Sequence, residues 1–238
     1  MKLAIMQPYF FPYIGYYQLM NAVDEFVVYD NIEFTKKGWI NRNRILLNGK
    51  DEYLTLPLKK GPDHLHIDKR TLADSWPMDK KKILNRITES YRKAPNYNNV
   101  YPVIENCMNY EDNNLFSFIF NSLNITKEYV GIPTRLVISS TVGVDHSLKA
   151  QEKVIAICKA RKAAIYLNPE GGMQLYNQAV FNDQGMRLHF LRSTDTGYKQ
   201  FTDNFVPWLS IIDIMMFNSK EEIRKLLGSY ILEPVINK

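Results

Sequence analysis

Thiols, imidazoles and long apolar runs are all scarce in this chain. It has two cysteines and four histidines among 238 residues. Cys107 and Cys158 belong to no paired motif, which excludes a disulfide-stapled fold and reads as two small buried hydrophobes of a reduced protein. Neither has a histidine near it in sequence, so nothing argues for a thiol nucleophile. His64 and His66, flanked by Asp63 and Asp68, lack a third ligand at zinc spacing, and no metal site is expected. No run approaches the ~18 apolar residues of a membrane helix, and the apolar opening is too short for a signal peptide. No membrane insertion and a cytoplasmic location are therefore expected. No Walker A loop, dinucleotide glycine fingerprint or Gly-x-Ser-x-Gly elbow occurs. The net charge of +5, with a pI near 9.0, is too small an excess to argue for nucleic acid. Lys80-Lys81-Lys82 reads as a solvated helix face.

What the chain does have is alternation of strand and helix patterns. Residues 3–6, 25–29, 135–138, 164–167 and 187–191 read as strands, and 15–22 and 148–159 as helices between them, with Asp145 and Ser147 as candidate caps. Residues 44–48 and 52–58 form a hairpin around Asn48-Gly49-Lys50-Asp51. Ile83, Ile87 and Tyr91 mark one face of a helix over 78–92, and 115–130 is a second long helix. Ser219-Lys220-Glu221-Glu222 is a capping box opening the last helix. This order predicts an α/β protein: a three-layer fold with a mainly parallel sheet. It forms one domain over residues 1–238, with 42–130 as a hairpin-plus-helical insertion or cap.

The first forty-four residues carry most of the functional signal. A buried strand ends in polar Gln7, two prolines and Gly15 turn the chain into a helix, and the next strand ends in Asp30. Ligands of parallel sheets sit outside the carboxyl ends of the strands, so Gln7, Gly15 and Asp30 share one edge. A basic segment follows. If extended, it faces Lys37, Trp39, Asn41 and Asn43 one way and Lys36, Gly38, Arg42 and Arg44 the other. Arginine makes bidentate contacts with phosphate, tryptophan offers a surface for a sugar ring, and asparagine reads hydroxyls. That set suits a nucleotide sugar or a sugar phosphate, and the bland alternative is an edge strand guarded by charge. Asn168-Pro169-Glu170-Gly171-Gly172, with Tyr176 beyond, is either an anion-binding nest or a simple turn. Asp213 lies among Ile211, Ile212, Ile214 and Met215, where a carboxylate needs a partner such as an arginine or a helix N-terminus.

Several of these segments carry a resemblance. Gln7-Pro8-Tyr9-Phe10-Phe11-Pro12-Tyr13-Ile14-Gly15-Tyr16, Tyr29-Asp30, Gly38-Trp39-Ile40-Asn41-Arg42-Asn43-Arg44, Phe205-Val206-Pro207-Trp208-Leu209-Ser210-Ile211-Ile212-Asp213 and Phe217-Asn218 resemble the WbqC-like family of bacterial O-antigen and surface-polysaccharide biosynthesis proteins. The resemblance spans nearly the whole chain. It implies transfer of glycine or another acyl group onto a surface sugar. The turn over residues 11–16 is also similar in layout to the His-x-Gly-His signature of nucleotidyltransferases and class I synthetases, which would make the fold nucleotidyltransferase-like (HUP-like). Ile138-Ser139-Ser140-Thr141 is similar to the Ile-Ser-Ser-Thr segment that meets nucleotide phosphates in that superfamily. Both signature histidines are replaced, by Tyr13 and Tyr16. Tyrosine is neutral near pH 7 and cannot neutralise transition-state charge as an imidazolium would.

Together these readings predict a transferase that moves an aminoacyl group such as glycyl, or another acyl group, onto a nucleotide-linked amino sugar. Asp30 is the expected general base, with Tyr16 beside it in the catalytic set. Gln7, Gly15, Ser139 and Ser140 would hold the activated donor or nucleotide. Lys37, Trp39, Asn41, Arg42 and Arg44 would hold phosphates and sugar, and Asn168, Gly171 and Gly172 extend the substrate site. The cofactor stays open between ATP with Mg²⁺ and an activated acyl donor, and a homo-oligomer is compatible with all of this. Two rivals remain: a non-catalytic nucleotide-sugar binding module, and an ATP-dependent ligase or nucleotidyltransferase working without the usual histidines.

Overall fold

A period of two sorts the strand side chains onto two faces, and each face has its own helices to bury against. The computed structural model describes residues 1–62, 64–194 and 197–234. Its elements run β1 (Lys2–Met6), α1 (Ile14–Asn21), β2 (Glu25–Val28), β3 (Arg42–Leu47), β4 (Lys50–Thr55), α2 (Trp76–Tyr91), α3 (Tyr97–Met108), α4 (Leu115–Val130) and β5 (Arg135–Ile138). They continue with α5 (Ala150–Ala160), β6 (Ile165–Pro169), α6 (Gln178–Asp183), β7 (Arg187–Ser193), α7 (Ile211–Phe217), α8 (Lys220–Leu227) and β8 (Tyr230–Pro234). On one face Ala4, Phe26, Val28, Leu167 and Leu191 join a core with α1, α4, α7 and α8. On the other, Leu3, Ile5, Val27, Tyr166 and Phe190 pack on Val154, Ile157 and Cys158 of α5 and Phe181 of α6. The result is the three-layer α/β fold with a mainly parallel sheet.

The six-stranded sheet has the order β5-β2-β1-β6-β7-β8, parallel except for β8, which pairs antiparallel with β7. The chain builds outward from β1 through β2 to β5, then returns to the other side of β1 for β6 and β7. That reversal is the topological switch point of doubly wound sheets, where a crevice opens outside the carboxyl ends of the two central strands. The residues that follow β1 and β6 are therefore placed at the position that such folds use for ligands.

Between β2 and β5 lie the β3–β4 hairpin and helices α2 to α4. They share the core beneath α1, through Ile45, Leu54, Ile87, Ile104 and Phe118 among others. The hairpin closes on two residues, Asn48 (φ 51°) and Gly49 (φ 75°), both left-handed as a type I′ turn requires. The strands are thus 42–47 and 50–55 rather than 44–48 and 52–58, because the turn is tighter than the four residues expected. The cap of α5 also differs from expectation. Its N-cap is Lys149, and Asp145 instead accepts bonds from the N–H and hydroxyl of Ser147, closing the preceding loop. Asn114 caps α4 by accepting the Ser117 N–H, and Gly131 (φ 79°) ends that helix. Ser219 and Glu222 form the expected capping box of α8.

Candidate functional site

Beyond β1 the chain wraps over the sheet edge from Gln7 to Tyr13 and is laced there to two distant segments. Buried Asn43, on β3, donates from its side-chain amide to the carbonyls of Phe10 (3.1 Å) and Phe11 (2.9 Å). Its own oxygen accepts the Arg44 N–H at 2.8 Å. The Ser210 hydroxyl donates to the Phe11 carbonyl at 2.8 Å, and its N–H donates to the Arg44 carbonyl at 2.8 Å. The Ile211 N–H reaches the Pro12 carbonyl at 2.9 Å. These bonds hold Phe11 at φ 40°, a conformation that a large side chain adopts only under constraint.

Where the three segments meet, a cleft of about 290 Å³ opens among Tyr9, Tyr13, Trp39, Asn43, Arg44 and Trp208. The Arg44 guanidinium lies 5.5 Å from the Trp39 ring centroid. It pairs with Asp51 at 2.9 Å and donates to the Trp208 carbonyl at 3.3 Å. Trp208 is 61 % exposed and sits at φ 60°. Left-handed backbone costs a residue of this kind roughly 1–2 kcal/mol, and an exposed indole gains little from burial to offset it. The tryptophan is held edge-on to Tyr13, ring centroids 5.8 Å apart. Aromatic faces around a guanidinium can stack sugar or base rings and receive an anionic group beside them. Tyr13 and Trp208 also line a second pocket of about 290 Å³, with Ser193, Thr194 and Tyr198 at the carboxyl end of β7 and beyond.

Behind that pocket Asp213 is fully buried, and no arginine pairs with it among the described residues. It accepts hydrogen bonds from the hydroxyls of Tyr91 (2.7 Å) and Tyr198 (2.5 Å) and from the Gln200 amide (2.9 Å). Asp213 lies in the first turn of α7, the helix N-terminus expected as one of its partners, and two phenols and an amide take the place of an arginine. Burial raises the Asp213 pKa, and the three donors offset only part of that.

Among the residues singled out from sequence, Trp39, Asn43 and Arg44 meet in the cleft. The others of the basic segment lie apart from it. Residues 36–41 form turns and bends, with Lys37 at φ 59°, so the two-sided alternation expected over 36–44 is absent until β3 begins. Arg42 donates to the carbonyls of Gly38 (3.1 Å) and Lys37 and covers the Tyr53 ring at 4.7 Å. Asn41 donates to the Leu56 carbonyl at 2.9 Å. At Gly15 a Cβ would stand 2.4 Å from Tyr13 Cε2. The open side of this glycine is filled by the tyrosine ring. Tyr16 is buried and donates its hydroxyl to the Gln7 carbonyl at 2.9 Å, while the Gln7 side chain makes no hydrogen bond among the described residues.

Asp30, Ser139 and Ser140 do come together, joining the carboxyl ends of β2 and β5. One carboxylate oxygen of Asp30 accepts from the Ser139 hydroxyl at 2.7 Å and the Ser140 N–H at 2.9 Å. Three neighbours of this cluster were not singled out. Asn31 bonds the His146 ring at 3.0 Å and accepts from buried Lys153 at 3.1 Å. Burial lowers the Lys153 pKa against the pull of Asp30. The available signal was a lysine on the apolar stripe of Val154, Ile157 and Cys158. Asn168 is buried at the end of β6 and donates to the Tyr166 hydroxyl at 3.2 Å. Gly172 backs onto its side chain, with 3.0 Å from a would-be Cβ to the amide oxygen, whereas Gly171 is open. Tyr9 and Trp208 complete the cleft without having been named as site residues. Burial pushes the Cys107 and Cys158 thiols up to about 12. Asp63 lies outside the described residues, and among those described no three His, Cys, Asp or Glu side chains are grouped to hold a metal ion. No described helix is long and apolar enough to cross a membrane.

A doubly wound sheet with an aromatic, arginine-bearing cleft at its carboxyl edge defines an α/β protein of the open-crevice kind. The chain belongs to the WbqC-like protein family, which matches residues 7–225. It is similar to the protein described as "Uncharacterized protein Rv1507c" of Mycobacterium tuberculosis (strain ATCC 25618 / H37Rv), at 30% identity over 220 residues, covering 90% of this chain and 92% of that one. No solved structure matches it.

Proposed function

We propose that this protein is a transferase of surface-polysaccharide (O-antigen) biosynthesis that moves an acyl group onto the amino group of a nucleotide-linked sugar held in the aromatic cleft. The observation that carries this reading is the convergence of Tyr9, Tyr13, Trp39 and Trp208 around Arg44. Aromatic walls suit the apolar faces of a sugar or base, and the guanidinium suits a diphosphate. In the step itself the amine nitrogen attacks the acyl carbonyl carbon. A C–N bond forms, the bond to the donor's leaving heteroatom breaks, and that atom keeps the electron pair. In this reading Asp30, which stands outside the cleft's lining at the carboxyl end of β2, has the role of base that accepts the amine proton and returns it to the leaving group. Its second carboxylate oxygen makes no hydrogen bond among the described residues, and the Ser139 hydroxyl and Ser140 N–H hold the first in place.

The test is titration of UDP-, dTDP- and GDP-linked amino sugars, read by calorimetry. Arg44→Ala is expected to weaken the sugar that binds at least about tenfold, the loss of a charged hydrogen bond. Arg42→Ala, which removes only a backbone brace and a ring contact, leaves affinity within about threefold on the same scale. Equal affinity in wild type and Arg44→Ala would remove the cleft from the reading. Asp30→Asn should bind the sugar normally and lose turnover, and retained turnover would end the base role. A second reading, a nucleotide-sugar binding module without chemistry, draws support from the buried hydroxyl of Tyr16 and the ring-filled face of Gly15, where a nucleotidyltransferase keeps histidines. Tight binding with no acyl transfer identifies it, and dependence on ATP with Mg²⁺ identifies a ligase.

A further inference from the structure

We infer that Asn31 is a positioning residue for Asp30, and that its amide turns over when His146 takes up a proton, redistributing the hydrogen bonds on the carboxylate. Asp30 would feel that change whether or not an acyl group is moved. The cluster joins three segments at the carboxyl edge of the sheet: residues 29–31 after β2, residues 139–146 after β5, and Lys153 of α5. Two groups at its ends fix the protons between them. The Lys153 ammonium can only donate, and at 3.1 Å it bonds the side-chain oxygen of Asn31. That oxygen also accepts from the Ser139 hydroxyl at 2.9 Å. The amide nitrogen of Asn31 therefore faces the His146 ring, 3.0 Å from Nδ1, and Nδ1 must accept. At the far side the Val142 carbonyl can only accept, so Nε2, 3.1 Å away, carries the ring proton. The network thus calls for the neutral Nε2–H imidazole.

Histidine is the side chain that changes charge between about pH 5 and about pH 8, and this ring is half-exposed. A proton on Nδ1 sets N–H against N–H, and reversal of the Asn31 amide relieves it. The reversed amide presents its NH2 to the Lys153 ammonium, donor to donor, so a charged His146 and the Lys153–Asn31 side-chain bond exclude each other. Lys153 keeps the Asn31 backbone carbonyl at 3.5 Å and the Tyr29 ring, 5.3 Å from its centroid. The change reaches Asp30 through Ser139, whose one hydroxyl proton lies between Asp30 at 2.7 Å and Asn31 at 2.9 Å. With the amide reversed, Ser139 accepts from Asn31 and commits that proton to Asp30, and a carboxylate so bonded is the weaker base. The charges around the network are Asp145 beside His146, Lys153 in α5, and Asp30 itself. Asp68 and Lys69 add theirs from the turn over 67–69, where the Asp68 N–H bonds the Asp30 carbonyl.

NMR of the full chain, titrated from about pH 5 to about pH 8, tests this without substrate, so failure of the transferase reading leaves it untouched. The His146 ring nitrogens should report a bare Nδ1 and a protonated Nε2 at the alkaline end. As the ring gains its proton, two signals should shift with the same midpoint: the Asn31 side-chain NH2, and the Ser140 N–H that bonds Asp30 at 2.9 Å. In Asn31→Ala the ring still titrates and Ser140 no longer follows it. In His146→Asn, which keeps an acceptor near the place of Nδ1 but cannot titrate, neither signal moves. A protonated Nδ1 at the alkaline end overturns the inference, as does a ring that keeps one charge throughout. So does an Asn31 amide that stays put, a Ser140 response that survives in Asn31→Ala, or movement of either signal in His146→Asn. Should Asn31→Ala not fold, the wild-type amide and His146→Asn decide.

Discussion

Tyr13 occupies the space that a side chain at position 15 would need, and that single substitution of ring for methyl governs the front of the cleft. The atoms in conflict are the far end of the ring, Cε2, Cζ and the hydroxyl, all within 2.8 Å of the would-be Cβ. The ring can swing away, so Gly15→Ala is expected to change folding stability by less than about 1 kcal/mol, a helix-propensity gain of similar size opposing the displaced ring. The same swing moves Tyr13 out of both pockets. Loss of ligand binding with an unshifted urea midpoint is the expected pair of results, and normal binding would mean that Tyr13 has another place to stand. At this scale Gly15 was legible in the sequence as part of a donor-holding turn, but what fills the space beside it is a neighbouring side chain. A glycine announces the absence of a Cβ and says nothing about what fills the gap.

At the scale of elements, β3 and the turn after β1 are tied by Asn43. Asn43→Ala strips the Phe10 carbonyl of its side-chain donor and leaves Phe11's to Ser210 alone, and it is expected to cost roughly 1–3 kcal/mol, read as a fall in the chemical-denaturation midpoint. Asn43→Asp, which cannot donate to carbonyls, should cost no less. The strands and long helices were legible because β1 and β2 carry unbroken apolar runs buried on both faces, and apolar residues recur at four in α2 and α4. Of the elements that were not foreseen, two show why. In α3, Pro102 lies inside the helix, which masks its stripe of Val100, Ile104 and Cys107. β8 pairs at the sheet edge over five residues with a glutamate and a proline among them. For the cleft, Trp39 and Arg44 stood out by composition. Their common side did not follow from alternation, because Lys37 turns the chain just before β3. Trp208 could not be paired with Arg44 by any local rule, as 164 residues separate them.

For the molecule as a whole, two buried carboxylates bend the pH dependence of stability in opposite directions. Glu25, at the start of β2, is bonded by Arg161 at 2.5 and 2.8 Å, and that contact holds its pKa below the ordinary 4.5. Its contribution is present above the unfolded value and is lost as pH falls through the folded one. Asp213 is the reverse: with its pKa raised above 3.8 by burial, its contribution is full below the unfolded value and is lost as pH rises through the folded one. Glu25→Gln should therefore destabilise most near neutrality and converge with wild type in acid. Asp213→Asn should compare most favourably with wild type near neutrality and least in acid. Urea midpoints from about pH 2.5 to about pH 7 test both, and parallel curves for either variant across that range would refute its assignment.

The lacing of residues 10–12, 43–44 and 208–211 also has a temporal meaning. On the ribosome the first two segments emerge early and wait, because Trp208 follows Arg44 by 164 residues. No nascent chain short of Ile211 can close the cleft, and contacts this remote in sequence are slow to form. Anything that bound the closed cleft would stabilise chains made and folded through Ile211 while ignoring shorter ones.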